Sequence, residues 1–156
     1  MRDVSKPRLF FDASALFAGV VSSTGAARAL MLLGEAKAVT IVVSEQVLVE
    51  TERNLAHKAA YALPYYRQAL RAIPLRVLAD PLPAEVTKHA GIIAHAPDVP
   101  ILVVAMQVRP DFLVTLNRKH FIDDPGVARK SGLRIGTPGD ALAWVRTRLA
   151  LAGTVQ

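Results

Sequence analysis

The chain contains no cysteine. Disulfides, thiolate nucleophiles and cysteine-ligated zinc or iron–sulfur sites are thereby excluded. Long apolar runs are also missing, and none approaches the ~20 residues that a membrane-spanning helix needs. No glycine-rich loop is followed by Lys and Ser or Thr, which argues against a P-loop nucleotidase. No Gly-x-Gly-x-x-Gly follows the first strand, which argues against a dinucleotide site. Acidic residues are in deficit, 13 against 19 Lys and Arg, for a formal charge of +6. That surplus favours a polyanionic partner, nucleic acid before an acidic membrane surface, with solubility alone as the plainer explanation. The four histidines, at positions 57, 89, 95 and 120, lack a metalloprotease spacing. His89 and His95 fall on one predicted helix at a spacing that does not give them a common face. His120, beside Lys119, has packing and an approach to phosphate as equal alternatives.

What is present fits one compact unit. A chain of 156 residues, 52% hydrophobic and 21% charged, is expected to form a single domain over residues 1–156 with a substantial core. Residues 1–27 have a basic start and an apolar middle that faintly mimic a signal peptide. Asp12 interrupts that apolar stretch, so it reads as mature sequence, and a soluble cytoplasmic protein is expected.

Apolar periodicity alternates between strand and helix. Arg8–Phe11 reads as a strand. Residues 13–17 suit a helical turn, and residues 25–35 a helix. Residues 39–43 form a β-branched strand ending at Ser44, a good N-cap. Glu45–Lys58 follows as a helix with Val47, Leu48, Thr51 and Leu55 on one face. Residues 64–72 are helical, and Pro74 prevents continuation. Residues 75–78 are a short strand. Residues 84–96 read as a helix that Gly91 weakens. Asp98 precedes Val99–Val108, apolar almost all round and so buried. Residues 112–115 are a strand, residues 117–131 a basic loop or short helix, and residues 133–135 a last strand. Thr137 and Pro138 open a final helix as cap and first residue. Strands separated by helices imply a mostly parallel sheet covered on both faces.

The acids carry the chemistry. In such sheets ligands bind outside the carboxyl ends of the strands, where strand order reverses. Asp12 ends the first strand, and Asn117 follows the strand that begins at Phe112. Glu50 lies off the apolar stripe of its helix, and Asp98 sits before the buried helix. Singly, each has an ordinary explanation: Asp12 and Asp98 as caps, Glu50 as a solvated side chain. Together, close carboxylates repel unless a cation neutralises them, and hard oxygens suit Mg²⁺ or Mn²⁺. Such ions serve phosphodiester hydrolysis. Arg118, Lys119, Arg129, Lys130 and Arg134 offer a basic rim for a phosphate backbone, with Arg53, His57 and Lys58 extending it. A solvated face is the alternative for any of these charges.

These residues resemble a known family. Leu9-Phe10-Phe11-Asp12-Ala13-Ser14, Val43-Ser44-Glu45-Gln46-Val47-Leu48-Val49-Glu50, Asp98-Val99-Pro100-Ile101-Leu102 and Phe112-Leu113-Val114-Thr115-Leu116-Asn117-Arg118-Lys119-His120-Phe121 together resemble a PIN domain. This is the nuclease fold of many prokaryotic toxin–antitoxin toxins. The resemblance implies a three-layer α/β/α sandwich around a five-stranded sheet and an acidic Mg²⁺ or Mn²⁺ site that cuts RNA. It puts Asp12, Glu50 and Asp98 at the metal. Ser14 matches a small polar position near the first acid, and Thr115 the polar residue closing the fourth strand. Asn117 falls where many members carry another acid, which puts the second metal position in doubt, and Asp123 or Asp124 is the candidate to compensate. The resemblance further implies an antitoxin partner and pairing with a second copy. The aromatics near residues 59–70 offer an interface, with intramolecular packing as the alternative.

Two other functions compete. A catalytically weak PIN-like module would bind RNA or protein without cutting. A receiver-type phosphoacceptor domain would use Asp12, Asp80 and Thr115. It lacks the second acid of its usual pair, since Phe11 precedes Asp12, and it lacks the Lys after the last strand.

Overall fold

The structure is a computed structural model, and it describes residues 6–153. The first residues of the basic N-terminal stretch therefore lie outside the described residues. Five strands form one sheet: β1 (Arg8–Phe11), β2 (Thr40–Ser44), β3 (Arg76–Leu78), β4 (Phe112–Val114) and β5 (Ile135–Gly136). Their order is β3-β2-β1-β4-β5, and all four pairings are parallel rather than mostly so. Buried parallel strands read as continuous apolar runs, and Leu9-Phe10-Phe11 and Leu113-Val114 are fully enclosed. The register sets Phe11 beside Val114. The chain builds outward from β1 through β2 to β3, then returns to the other side for β4 and β5. The reversal thus lies between β1 and β4, and the carboxyl ends of both strands open onto it.

Helices flank the sheet in an α/β/α arrangement: α1 (Ala13–Val21), α2 (Ala26–Glu35), α3 (Glu45–Lys58), α4 (Leu63–Ala72), α5 (Pro83–Lys88), α6 (Val99–Val108), α7 (Pro125–Ser131) and α8 (Pro138–Gly153). Ser44 caps α3 by accepting from Val47 N at 3.2 Å. On α3, Val47, Thr51 and Leu55 are buried, as their spacing predicts, and Leu48 is half-buried. Thr137 and Asp140 cap α8 reciprocally, Thr137 N donating to Asp140 Oδ2 at 3.0 Å and Asp140 N to Thr137 Oγ1 at 3.2 Å. Helix α6 buries Ile101 through Ala105 without a break. It ends at Arg109 in the left-handed region, followed by Pro110. Arg8 closes that end, its guanidinium donating to the carbonyls of Val108 and Arg109 at 3.1 and 2.6 Å.

Of four expectations, two are extended and two, the helix over residues 84–96 and the last strand, are corrected. The turn at residues 13–17 is the start of a longer helix, because apolar residues continue to Val21. The helix expected over residues 84–96 stops at Lys88. Gly91 adopts φ +83, and a 3₁₀ turn at Ala96–Asp98 replaces the remainder. His89 and His95 consequently do not share a helix. Residues 117–131 form a π-helical turn at Arg118–Ile122 and then α7. The last strand pairs at Ile135–Gly136, two residues later than apolar pattern suggests, in register with Leu113 and Val114. Among the described residues no single helix is long and apolar enough to cross a membrane.

Candidate active site

Asp12 begins where β1 stops. It is the N-cap of α1, and its Oδ1 accepts from Ala15 N at 2.9 Å and from Ser14 Oγ at 2.7 Å. Thr115 Oγ1 donates to the other carboxylate oxygen. Thr115 follows β4, so this bond ties together the two strands that flank the reversal. Ser14 Oγ also accepts from Leu116 N at 2.9 Å, and Thr115 Oγ1 accepts from Asn117 N at 3.0 Å. Ser14 and Thr115 thus hold Asp12 and fix the segment after β4. Capping and site chemistry are compatible roles for Asp12, since one carboxylate serves both.

Glu50 projects from α3 beyond β2, half-buried. Gln46, one turn earlier, donates through Nε2 to Glu50 Oε1 at 2.9 Å and to the Pro97 carbonyl at 3.1 Å. One amide therefore joins Glu50 to the turn that carries Asp98. Gln46 does not stand out in the sequence, although its spacing of four from Glu50 on a helix is the signal that could have found it. Asp98 makes no side-chain cap to α6. Its Oδ2 is buried without a hydrogen-bond partner. His120 Nδ1 faces that oxygen at 3.3 Å, an ion pair only when the ring is protonated.

Asp98 is the acid through which the charges communicate: it acts on Asp12, and Glu50 acts on it. Burial pushes Asp12 up from 3.8 to about 6, against the hydrogen bonds from Thr115, Ala15 and Ser14, and the charge of Asp98 adds to the rise. Asp98 is also raised, first by burial. His95 and His120 oppose that rise, and Glu50 contributes to it. A buried carboxylate oxygen without a donor, beside two more acids, is an unfavourable arrangement that a cation relieves. The donor atoms of the three acids are all oxygen, which suits Mg²⁺ or Mn²⁺. The donor chemistry of the three acids suits a hard divalent ion, while among the described residues the side chains whose ligand atoms all lie within 4.8 Å of one another are His95, Asp98 and His120.

The remaining candidates are placed less uniformly. Asn117 caps the π-helical turn, its Oδ1 accepting from His120 N at 3.2 Å while Nδ2 lies 3.0 Å from His120 Nδ1. Asp124 caps α7 by accepting from Gly126 N at 2.9 Å, and Asp123 is exposed at the end of the π-helical turn. Arg118 and Lys119 are exposed. Arg134 lies over the Trp144 ring, 4.9 Å from its centroid. A cleft of about 420 Å³ opens beside Ser14, bordered by Phe17, Val21, Asn54, Lys58 and Leu116. Arg53 and His57 line a neighbouring depression. Lys58 therefore borders the cleft beside Ser14, and Arg53 and His57 the depression next to it. Asp80 lies elsewhere in role: it accepts from Gln46 N at 2.9 Å at the start of α3, which removes its part in a phosphoacceptor site.

A family model described as a PIN domain matches residues 8–119. No curated protein gives a significant match. Among solved structures, the chain is similar to PAE2754 from Pyrobaculum aerophilum, at 20% identity and a TM-score of 0.63, over 90% of each chain. It is also similar to VapBC2 from Rickettsia felis, solved bound to a DNA fragment from their promoter. There the identity is 21% and the TM-score 0.57, covering 83% of this chain and 98% of that one. At these identities the two structures speak for the fold.

Proposed function

The chain belongs to the PIN domain family, and on that premise we propose that it is a Mg²⁺- or Mn²⁺-dependent ribonuclease. Proteins of this family are usually nucleases. The observation that carries the reading is the buried Asp98 oxygen that no hydrogen bond serves, electrostatically coupled to Asp12 and Glu50. Asp12, Glu50 and Asp98 would hold the ion, and Asn117, which brings no charge, would hold a second one weakly. Such an ion supplies an activated water and stabilises the leaving oxygen of a phosphodiester. The protein's own part is positioning. Ser14 and Thr115 orient Asp12, Gln46 orients Glu50 against the Asp98 turn, and Arg118, Lys119 and Lys58 hold the RNA backbone beside them. Family resemblance gives product ends of 5′-phosphate and 3′-hydroxyl.

The finer assignments belong to the same proposal. The chain acts on cytoplasmic RNA as the toxin of a toxin–antitoxin pair, with a small antitoxin as partner. The likeness to VapBC2 supports that setting. It pairs as a homodimer through Tyr61, which is 77% exposed, whereas Tyr66 is buried and Arg28 sits over Tyr65. The competing reading is a PIN module that binds RNA without cutting, favoured by the engagement of Asn117 within its own turn. Cleavage of a structured RNA, measured with Mg²⁺ or Mn²⁺ and again with EDTA, separates the two. Cleavage is expected with metal and none with EDTA, and Asp12→Asn is expected to remove most of it. Asn remains a good cap, so that variant keeps the fold. Undiminished cutting by Asp12→Asn without metal would overturn the mechanism.

A further inference from the structure

His95 and His120 are two histidines that gather at Asp98. They come from different parts of the chain, the turn before α6 and the π-helical turn after β4. Their rings nevertheless stack, with centroids 4.3 Å apart and planes 9° from parallel. One ligand atom from each of His95, Asp98 and His120 lies within 4.8 Å of the others.

His120 Nδ1 is placed between conflicting partners. It lies 3.0 Å from Asn117 Nδ2 and 3.3 Å from Asp98 Oδ2. A ring protonated at Nε2 accepts from Asn117 and turns a lone pair toward the carboxylate. A ring protonated at Nδ1 serves Asp98 and gives up Asn117. A cation between Nδ1 and Oδ2 resolves the clash at the carboxylate and satisfies an oxygen that otherwise accepts no hydrogen bond. The distance already suits this. Two ligand atoms on a tetrahedral ion with bonds of about 2.1 Å stand about 3.4 Å apart. His95 is exposed, so its side chain has room to close the remaining gap.

We propose that His95, Asp98 and His120 form a second site, sharing Asp98 with the first, for a zinc-class divalent ion. Two imidazoles and one carboxylate suit Zn²⁺, Co²⁺ or Ni²⁺. They do not suit Mg²⁺, which takes oxygen ligands and keeps its waters. Three protein ligands leave a fourth position open to water or to a phosphate oxygen. Asn117 holds the His120 turn from behind through the bond from His120 N. The site is independent of whether the chain cuts RNA, although Asp98 is common to both sites.

The test is metal binding by the full chain after EDTA stripping. Zn²⁺ is titrated by calorimetry and Co²⁺ by visible absorption, each in excess Mg²⁺. One zinc-class ion per chain is expected, with the absorption of four-coordinate Co²⁺. His95→Ala and His120→Ala are each expected to weaken Zn²⁺ by roughly tenfold or more. His89→Ala, a histidine outside the cluster whose ring contacts the Glu85 carbonyl, is expected to change nothing. Circular dichroism checks the fold, and His95→Ala replaces an exposed side chain. Absence of binding, unchanged Zn²⁺ affinity in either variant, or loss of the ion to Mg²⁺ overturns the site. RNA cleavage by wild type in Mg²⁺ alone is scored separately, so failure of the nuclease reading is seen independently of failure here.

Discussion

Asp12 receives hydrogen bonds from Ala15, Ser14 and Thr115, yet burial still lifts its pKa to about 6. In the metal-free protein that has a definite sign. Below pH 3.8 the group is protonated in both folded and unfolded chains, and its burial is free of charge. Between pH 3.8 and about 6 the unfolded chain gives up a proton that the folded chain keeps, so stability falls, by about 3 kcal/mol in all once the buried group ionises. Asp12→Asn lacks this titration. Denaturant unfolding in EDTA should therefore show the Asn variant gaining on wild type between pH 4 and pH 7. A pH-independent difference would refute the assignment. Thr115→Val extends the argument. It removes a donor to Asp12 and the acceptor of Asn117 N, at a cost of about 1–3 kcal/mol. With that donor gone, Asp12 rises further, so the acid limb of the cleavage profile should move to higher pH. A profile that keeps its position while stability drops would reduce Thr115 to a structural role.

At the scale of elements, α1 and α2 meet through Gly19. A Cβ there would stand 2.3 Å from Met31 Sδ and 3.3 Å from the Ala27 carbonyl carbon. The Met can swing away, but the α2 backbone can follow only by shifting the helix. Arg28 resists that shift, because its guanidinium donates to the carbonyls of Gly19 and Val20 at the end of α1. Gly19→Ala should cost about 1–3 kcal/mol through overpacking. Thermal unfolding reads this directly, and an unchanged midpoint would show that the helices have slack. Such close approaches explain what the sequence conceals. Helix α3 is legible to its end residues, because Ser44, a single apolar stripe and the basic last turn agree. Residues 84–96 mislead, because helical composition there is overruled by Gly91 at positive φ. Asp12, Glu50 and Asp98 stand out because each sits at the end of an apolar element or off its stripe. The bridging by Gln46 and the stacking of His95 on His120 do not. Both depend on which loop lies against which, and no local periodicity encodes that.

Over the whole molecule, a charge of +6 coexists with a buried acidic cluster. The basic groups are outside: Arg118 and Lys119 after β4, and Arg53 and Lys58 on α3, are all exposed. On the proposed function, a polyanion would be drawn to the rim before it meets the acids, and the repulsion between phosphate and carboxylate would fall on a bound metal to neutralise. Two kinds of cation then leave different marks on RNA binding. Rim residues act by releasing condensed counterions, so their contribution fades with salt. A coordinated divalent ion acts at short range and in a buried setting, so its contribution is screened much less. Binding of a single-stranded RNA by Asp12→Asn, measured across monovalent salt, should fall steeply for the intact rim. Arg118→Ala/Lys119→Ala in that background should flatten the slope by roughly 0.7 log unit for each phosphate that the two side chains neutralise. An unchanged slope with intact affinity would mean that these charges are a solvated face. The RNA would then approach along the Lys58 side of the cleft beside Ser14, where Lys58→Ala should carry the missing salt dependence.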